Sequence, residues 1–400
     1  MANTNLVHDL IMKEAHRTLR NNSVFVNALT ARYDDSYSSH GAKAGSDIRI
    51  QVPQEFSVRT GKTIDVQDVE EKYVTISRSI QRGVDMKYSS AELTQDQVMG
   101  QFSKNKIEPA MATLAAYIDN YILKLAYKEV NQTVVLPTTA LDKDDILNAG
   151  ARLDEGSCPR TMDRYMILNP AGMADAVSSL SALFNNARPL SKNFDDGILS
   201  MPQLGFNFGM SQNIPSHTCG SYDGNYVVTS APTEGTGTLT VKTGTGTFKE
   251  GDVIEIASVN QVNSLTKDDL GKKAQFVVTA DSAGGAGDIT VSPNFISTGP
   301  YQNISALPAA DAVISHIGTL STVYPQNLAF HNGFGAVGFC DLDIPRGVPN
   351  GAAVRKVEDG ISLRLIDFYD GTNDDSYMRF DVLFGYKTIN PRWACRVYGV

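Results

Sequence analysis

"TEGTGTLTVKTGTGTFKEGD", residues 233–252, alternates glycine with threonine and ends on two carboxylates flanking a glycine. Three readings compete for it: a phosphate-cradling loop, a flexible linker, or part of a folded β domain. A P-loop requires GxxxxGK[ST] between a strand and a helix. Here Gly244, Gly246 and Lys249 have a different spacing, and "DVIEIASV" after them has the composition of a strand. In the later "LGKK", residues 270–273, Thr266 stands where the first glycine belongs. A dinucleotide fingerprint fails as well, because Thr240 occupies the third glycine position counted from Gly235.

The alternation also removes the linker. In "GTGTLTVK", Gly235, Gly237, Leu239 and Val241 fall on one strand face, with Thr236, Thr238, Thr240 and Lys242 on the other. Threonine is β-branched and favours extended backbone. A turn follows at Gly244–Gly246, and then "DVIEIA", "AQFVVTA" and "DITVSP" read as further strands, the last two joined by "DSAGGAG". This spacing predicts a small inserted β-barrel or sandwich over residues 220–322.

The flanking sequence is of mixed type. Leu6, Leu10, Ile11, Ala15 and Leu19 recur at helical steps and predict one amphipathic helix over 5–30. Its apolar stripe must dock, and a neighbouring subunit is one partner it can use. "SDIRIQVPQEFSVRTG" and "KYVTISRSIQRGVDMKYS" read as strands on either side of the polar "TGKTIDVQDVEE", which predicts a projecting hairpin. Thr94 and Gln97 have capping-box spacing. Ile107, Met111, Leu114, Ile118, Ile122 and Leu125 mark one face of a long helix, with Pro109 in its first turn and Tyr117 and Tyr121 packed i,i+4 on a second face. Between 140 and 219 two helices, "DKDDILNAGARLDEG" and one capped by Asn169 with Pro170 at its first position, flank the short strand "RYMILNP". The last forty residues read as half-buried antiparallel strands, with Met378, Phe380, Val382 and Phe384 alternating and Trp393, Cys395 and Val397 alternating.

No catalytic constellation emerges. "GMSQN" and "GSYDG" miss the GxSxG nucleophile elbow. The acidic clusters "DKDD", "DSAGGAGD" and "YDGTNDD" lack EF-hand spacing and read as helix starts and turns. His331 reads as a structural histidine. Cys158, Cys219, Cys340 and Cys395 are far apart and form no CxxC pair, which points to free thiols and a reducing compartment without a metal or disulfide framework. The 400 residues are 42% hydrophobic and 20% charged, an ordinary globular composition, and a net charge of −9 argues against a protein built to grip nucleic acid. The N-terminus lacks the apolar core of a signal peptide, and no apolar run is long enough to cross a membrane as a helix. Neither cofactor nor metal is expected.

The order of elements, together with "YDDSYSSHGAKAGSDIRIQVP", "IEPAMATLAAYID", "FKEGDVIEIASVNQVNSLTKDDLGKKAQFVVTA", "NLAFHNGFG" and "MRFDVLFGYKTINPRWACRV", resembles the major capsid proteins of tailed bacteriophages with the HK97-like α+β fold, specifically the P22-like coat protein family with its inserted β domain. The resemblance implies an N-arm at 1–33, an E-loop at 34–90, a spine helix of the P-domain at 91–135 and an A-domain at 136–219 and 323–360. It implies the inserted β domain at 220–322 and P-domain strands at 361–400. It further implies assembly into hexamers and pentamers of an icosahedral head, a separate scaffolding protein, a portal protein, and packaged double-stranded DNA bound without sequence specificity. The expected location is the virion, after assembly in the host bacterial cytoplasm, with no membrane. Candidate inter-subunit contacts are Arg59 and Lys62 as hairpin-tip cations, with Asp65, Glu70 and Glu71 on the same excursion, and Leu6 and Leu10 on the N-terminal helix. The alternative expectation is a virion decoration protein or a host- or carbohydrate-binding structural protein, with the β insertion as its binding module.

Overall fold

Helical periodicity and strand alternation resolve into definite elements in a computed structural model. It describes residues 2–34, 47–56, 58, 61–62, 64, 66, 68, 71–89, 92, 103–136, 140–181, 203–222, 225–344 and 351–398. The helices are α1 (Ala2–Asn22), α2 (Phe25–Ala28), α3 (Glu108–Glu129), α4 (Lys143–Glu155) and α5 (Pro170–Ser181). The first strands are β1 (Thr30–Asp34), β2 (Asp47–Val52), β3 (Lys72–Ser77), β4 (Ile80–Ser89), β5 (Thr133–Val135), β6 (Arg164–Leu168), β7 (Asn207–Met210) and β8 (Ser216–Thr218). The insertion holds β9 (Val227–Val228), β10 (Thr238–Lys242), β11 (Val253–Val262), β12 (Asp269–Val278), β13 (Gly287–Ser292) and β14 (Ile314–His316). The chain ends with β15 (Val323–His331), β16 (Gly335–Cys340), β17 (Gly351–Glu358), β18 (Ile361–Asp370), β19 (Asp375–Thr388) and β20 (Ala394–Tyr398). These elements form two compact units.

The first unit comprises Met1–Gln51, Tyr73–Ile122 and Gly335–Lys387. Its main sheet runs β1-β16-β19-β18-β17, with β4 also paired to β19. As the alternation predicts, Met378, Phe380, Val382 and Phe384 of β19 all face the core. β17 and β18 join through Asp359 and Gly360, both at positive φ (52° and 80°), the backbone of a tight hairpin turn whose twist suits the strands. The expected helix over 5–30 is interrupted: α1 stops at Asn22 and α2 begins at Phe25. The break is held from outside the segment, because the Asp119 carboxylate on α3 accepts the N–H groups of Val24, Phe25 and Val26 at 2.7, 3.2 and 3.2 Å.

α1 packs on β17 and β18 of its own chain, so its buried stripe needs no neighbouring subunit. That stripe is Met12, Ala15 and Leu19 with His8 and His16, and it is rotated from the expected one. Two imidazoles bury because each finds a partner: His8 Nε2 lies 3.0 Å from Asp367, and His16 Nε2 lies 3.0 Å from the Lys356 carbonyl. On α3, Met111, Leu114, Ile118 and Ile122 are buried as the spacing predicts, while Leu125 is partly exposed. Tyr117 and Tyr121 stack with ring centroids 6.3 Å apart. The capping box at Thr94 and Gln97 lies outside the described residues.

The second unit comprises Val52–Lys72, Leu123–Phe334 and Thr388–Val400. One of its sheets runs β5-β20-β15-β6-β7, with β8 on β15. It is mixed: β20 runs antiparallel to β15 but parallel to β5, and β6 runs parallel to β7. The last forty residues therefore divide between two sheets. α4 begins with the expected acids arranged as a capping box of Asp142 and Asp145. α5 is capped by Asn169, whose side chain accepts the Gly172 N–H at 3.1 Å.

The insertion is an antiparallel sheet in the order β14-β11-β12-β13-β10-β9. A bridge between Val227 and Val313 joins its two edges, with Ile314 donating to Tyr226 at 3.0 Å, so the sheet closes into a barrel. Tyr226, Leu239, Val241, Phe248, Phe276 and Ile289 are among the side chains that fill it. The Gly/Thr stretch contributes β10, which begins at Thr238; Leu239 and Val241 face inward. Gly235 sits before the strand in a turn at φ 78°, a correction to the expected strand face. Gly237 is glycine for room, since a Cβ there would overlap the Val291 carbonyl oxygen.

Two outcomes follow from this packing. A Cβ on Gly385 of β19 would overlap the Ser77 carbonyl oxygen, so Gly385→Ala is expected to lower stability by about 1–3 kcal/mol. Gly371→Ala, whose Cβ would meet only Tyr369 at 3.6 Å, should be tolerated in the same urea titration. Burial raises the Asp119 pKa from 3.8 to about 6 against the pull of its three N–H donors. A raised carboxyl favours the folded state most below pH 3.8 and loses that contribution as pH climbs through about 6. The stability of Asp119→Asn relative to the parent should therefore rise between pH 4 and pH 6, measured by urea midpoints across that range.

Candidate assembly surfaces

β2 and β3 pair as a two-stranded ladder, and residues 53–71 run between them. An isolated two-stranded hairpin is marginal in water, so its root needs anchoring. Within the second unit, Glu55 receives a hydrogen bond from Arg392 and an ion pair from Lys267 at 3.3 Å. Lys72 places its ammonium 3.5 Å from the centre of the Tyr301 ring, a cation–π contact. Gln54 donates to the Asp68 carbonyl at 2.8 Å across the excursion. Gly61 takes φ 89°, a conformation glycine adopts without strain.

Beyond this root the hairpin carries apolar side chains directed at solvent. Val58 is 93% exposed, Ile64 and Val66 are each 79% exposed, and Phe56 is exposed by more than half. Exposed apolar side chains collected on one element mark a candidate interaction site. The polar composition of "TGKTIDVQDVEE" hides it, because Ile64 and Val66 are isolated among charges and read as incidental. The signal that could have found them is the absence of any core for them to enter.

Of the residues singled out in the sequence, Lys62 and Glu71 are exposed on this hairpin. Arg59, Asp65 and Glu70 lie outside the described residues. On α1, Leu10 is 59% exposed and faces away from β17 and β18; the side chain of Leu6 lies outside the described residues. Charge therefore sits beside apolar surface on the hairpin, and Leu10 forms a second, smaller exposed point.

The enzyme-like sequences resolve structurally. Ser211 of "GMSQN" is buried and caps a turn by accepting the Asn213 N–H at 3.2 Å. Part of "GSYDG" lies outside the described residues. His331 bonds Thr161 Oγ1 at 3.0 Å through Nε2 and accepts the Gly333 N–H through Nδ1, edge-on to Trp393. Burial lowers its pKa, so it is a neutral structural histidine. "YDGTNDD" is a turn in which Asp370 accepts the Thr372 N–H at 2.9 Å. A sugar site would present aromatics; instead Tyr222, Tyr226, Phe248, Phe276 and Phe295 are buried in the barrel and Tyr301 lies under Lys72. All four cysteines are unbridged and buried. Among the described residues one group offers metal-type ligands, His217, Cys219 and Asp252, all buried. No helix among them is long and apolar enough to cross a membrane.

A family model described as P22 coat protein, gene protein 5, matches residues 1–397. The chain is 24% identical over 396 residues to a major capsid protein of Acyrthosiphon pisum secondary endosymbiont phage 1, covering 90% of each. Among solved structures it is similar to the capsid protein of cyanophage P-SCSP1u, with 11% identity, 94% of this chain and 88% of that one covered, and a TM-score of 0.44. The CUS-3 coat protein I-domain aligns at 26% identity over 24% of this chain and 98% of its own, with a TM-score of 0.21.

The rooting of the hairpin is testable by itself. Glu55→Ala removes the shared partner of Arg392 and Lys267. Global stability should change by less than about 1 kcal/mol, as for other partly exposed ion pairs. Proteolytic cleavage and amide exchange within 53–71 should both accelerate, read by mass spectrometry of the intact chain.

Proposed function

The chain belongs to the P22 coat protein family, and from that premise we propose how it works as a major capsid protein: the hairpin of one copy lies over a neighbour, and repetition of that contact closes hexamers and pentamers into an icosahedral head. The observation that carries this reading is the solvent-facing set Phe56, Val58, Ile64 and Val66 on an element anchored at its root. Covering these side chains supplies the favourable term, at about 25 cal/mol for each Å² of apolar surface removed from water. Arg59, Lys62, Asp65, Glu70 and Glu71 stand among them in the sequence with both signs of charge, which suits recognition of a complementary patch more than raw affinity. Leu10, exposed on the N-terminal helix, is proposed as a further contact, with Leu6 as its neighbour in the sequence stripe.

In this reading residues 1–33 act as N-arm, 34–90 as E-loop and 91–135 as spine helix. The A-domain is 136–219 with 323–360, the inserted domain is 220–322, and P-domain strands occupy 361–400. The boundary at 360 falls in the turn between β17 and β18. The protein acts by burying interfaces and carries out no catalysis. A separate scaffolding protein directs closure in the host cytoplasm, a portal protein occupies one vertex, and double-stranded DNA enters afterwards. A chain of net charge −9 does not adhere to that DNA.

The double variant Val58→Asp, Ile64→Asp separates folding from assembly. Both positions are exposed, so its thermal unfolding should match the parent. In the presence of scaffolding protein, electron microscopy is expected to show closed shells for the parent and none for the variant. Shells formed by the variant at parental yield would overturn the hairpin contact.

A further inference from the structure

The neck of the inserted barrel gathers four metal-type side chains from three separate parts of the chain. His217 and Cys219 lie where β8 leads into the insertion, Asp252 immediately precedes β11, and His316 ends β14 where the insertion leads out. All are buried: Asp252 is fully enclosed and the His316 side chain is 2% exposed. The ligand atoms of His217, Cys219 and Asp252 lie within 4.8 Å of one another. His217 Nε2 and His316 Nε2 approach the same carboxylate oxygen, Asp252 Oδ1, at 2.9 and 3.3 Å. His316 stands outside that close group of three and reaches it through Asp252. We propose that His217, Cys219, Asp252 and His316 bind a zinc ion that fastens the neck of the inserted barrel.

The bonding around the cluster prepares the ligands. Asp252 Oδ2 is occupied by the backbone N–H groups of Lys249 at 2.7 Å and Gly220 at 3.1 Å. Oδ1 is left facing both imidazoles, 3.3 Å from the same Gly220 nitrogen. His316 Nδ1 faces the Gly318 carbonyl at 3.4 Å, which assigns its proton there and leaves Nε2 as an acceptor. That Nε2 is buried and makes no aligned hydrogen bond, although Asp252 Oδ1 is 3.3 Å away. An imidazole nitrogen, a carboxylate oxygen and a sulfur brought close together in a buried space are stabilised by a cation among them. Neighbouring ligand atoms of a tetrahedral zinc centre sit roughly 3.3 Å apart, given metal–ligand bonds near 2.0–2.3 Å. The His316–Asp252 distance matches that spacing, while His217 and Asp252 at 2.9 Å are hydrogen-bonded and would part slightly around the ion. One thiol, two imidazoles and one carboxylate suit zinc, whereas calcium and magnesium take oxygen alone.

Arg396 is directed elsewhere, donating to Gly251 at 2.8 Å and to Gln326 at 3.4 Å, which steadies the loop that carries Asp252. The Tyr127 ring packs against His217 with centroids 5.7 Å apart.

The rival occupant of the cluster is a proton, shared as an imidazolium–carboxylate pair, and the two are distinguished with the untagged full chain. Elemental analysis after dialysis is expected to find about one zinc per chain. Cobalt(II) added to metal-stripped chain should develop intense visible bands of tetrahedral geometry and a near-ultraviolet thiolate-to-cobalt band. Cys219→Ser should abolish the near-ultraviolet band, and Cys219→Ser and His316→Gln should each weaken zinc binding by at least about tenfold. His8→Gln, outside the cluster, should bind as the parent does. If the parent chain takes up zinc no more tightly than roughly 10 µM and cobalt stays octahedral, the cluster is a protonated pair and the proposal falls. Cobalt spectra identical in parent and Cys219→Ser would overturn it equally.

Discussion

β19 has neighbours on both edges, and the first unit is arranged around satisfying them. Its residues Asp375–Phe384 pair with β4, and Asp375–Asp381 pair on the opposite edge with β18. A buried strand must find a partner for every N–H and C=O, and the approach of those partners limits which side chains can be present. Gly83 on β4 leaves space for the Phe380 carbonyl oxygen, and Gly385 on β19 leaves space for that of Ser77. Asp381 is enclosed as a result, and Arg364 at 2.6 Å and Arg379 at 2.9 Å balance its charge. Such a buried group adds little net stability, but losing a partner is costly. A one-residue slip of β19 would turn Asp381 away from Arg364 on β18, while Arg379, two residues along the same strand, would move with it. The pairing thus selects a register as well as a sheet.

The inserted barrel depends on a different constraint. Closure of β9 against the start of β14 removes the free edges that an open antiparallel sheet would present. The two ends of the insertion meet because β8 pairs with β15, and His316 meets Asp252 because β14 pairs with β11, so His217, Cys219, Asp252 and His316 converge at the neck. The ligand group is a product of topology, which explains its position at the neck rather than in the barrel core.

This difference also explains what could be read in the sequence. Periodicity is local, so Met111, Leu114, Ile118 and Ile122 announced α3, Asn169 announced the start of α5, and the Thr/Leu/Val alternation announced β10. Features that depend on distant partners were not legible. The stripe of α1 includes His8 and His16, which bury only because Asp367 and the Lys356 carbonyl meet them. The division of the helix at Ser23 follows from Asp119, about a hundred residues along the chain. Nothing in "RWACRVYG" indicates that β20 leaves the sheet of β18 and β19 for that of β15. The neck ligands have no motif spacing, because strand pairing between distant segments, not a loop, brings them together.

The hairpin combines these two kinds of interaction in one element. Apolar side chains exposed on a monomer favour indiscriminate association, and a mobile carrier would add an ordering cost each time a contact formed. Holding the root through Glu55, Arg392, Lys267 and the Lys72–Tyr301 contact reduces that ordering cost before any partner arrives. In the proposed contact, Lys62 and Glu71, exposed on the same hairpin, would restrict which surfaces can cover Val58, Ile64 and Val66, since an unmatched partner would bury charge without compensation. Each contact can then stay weak enough to be remade when misplaced, while the many copies in a closed shell make the whole persistent. A rigid root under an apolar tip is therefore what a subunit needs if accuracy of closure matters more than the strength of any one interface.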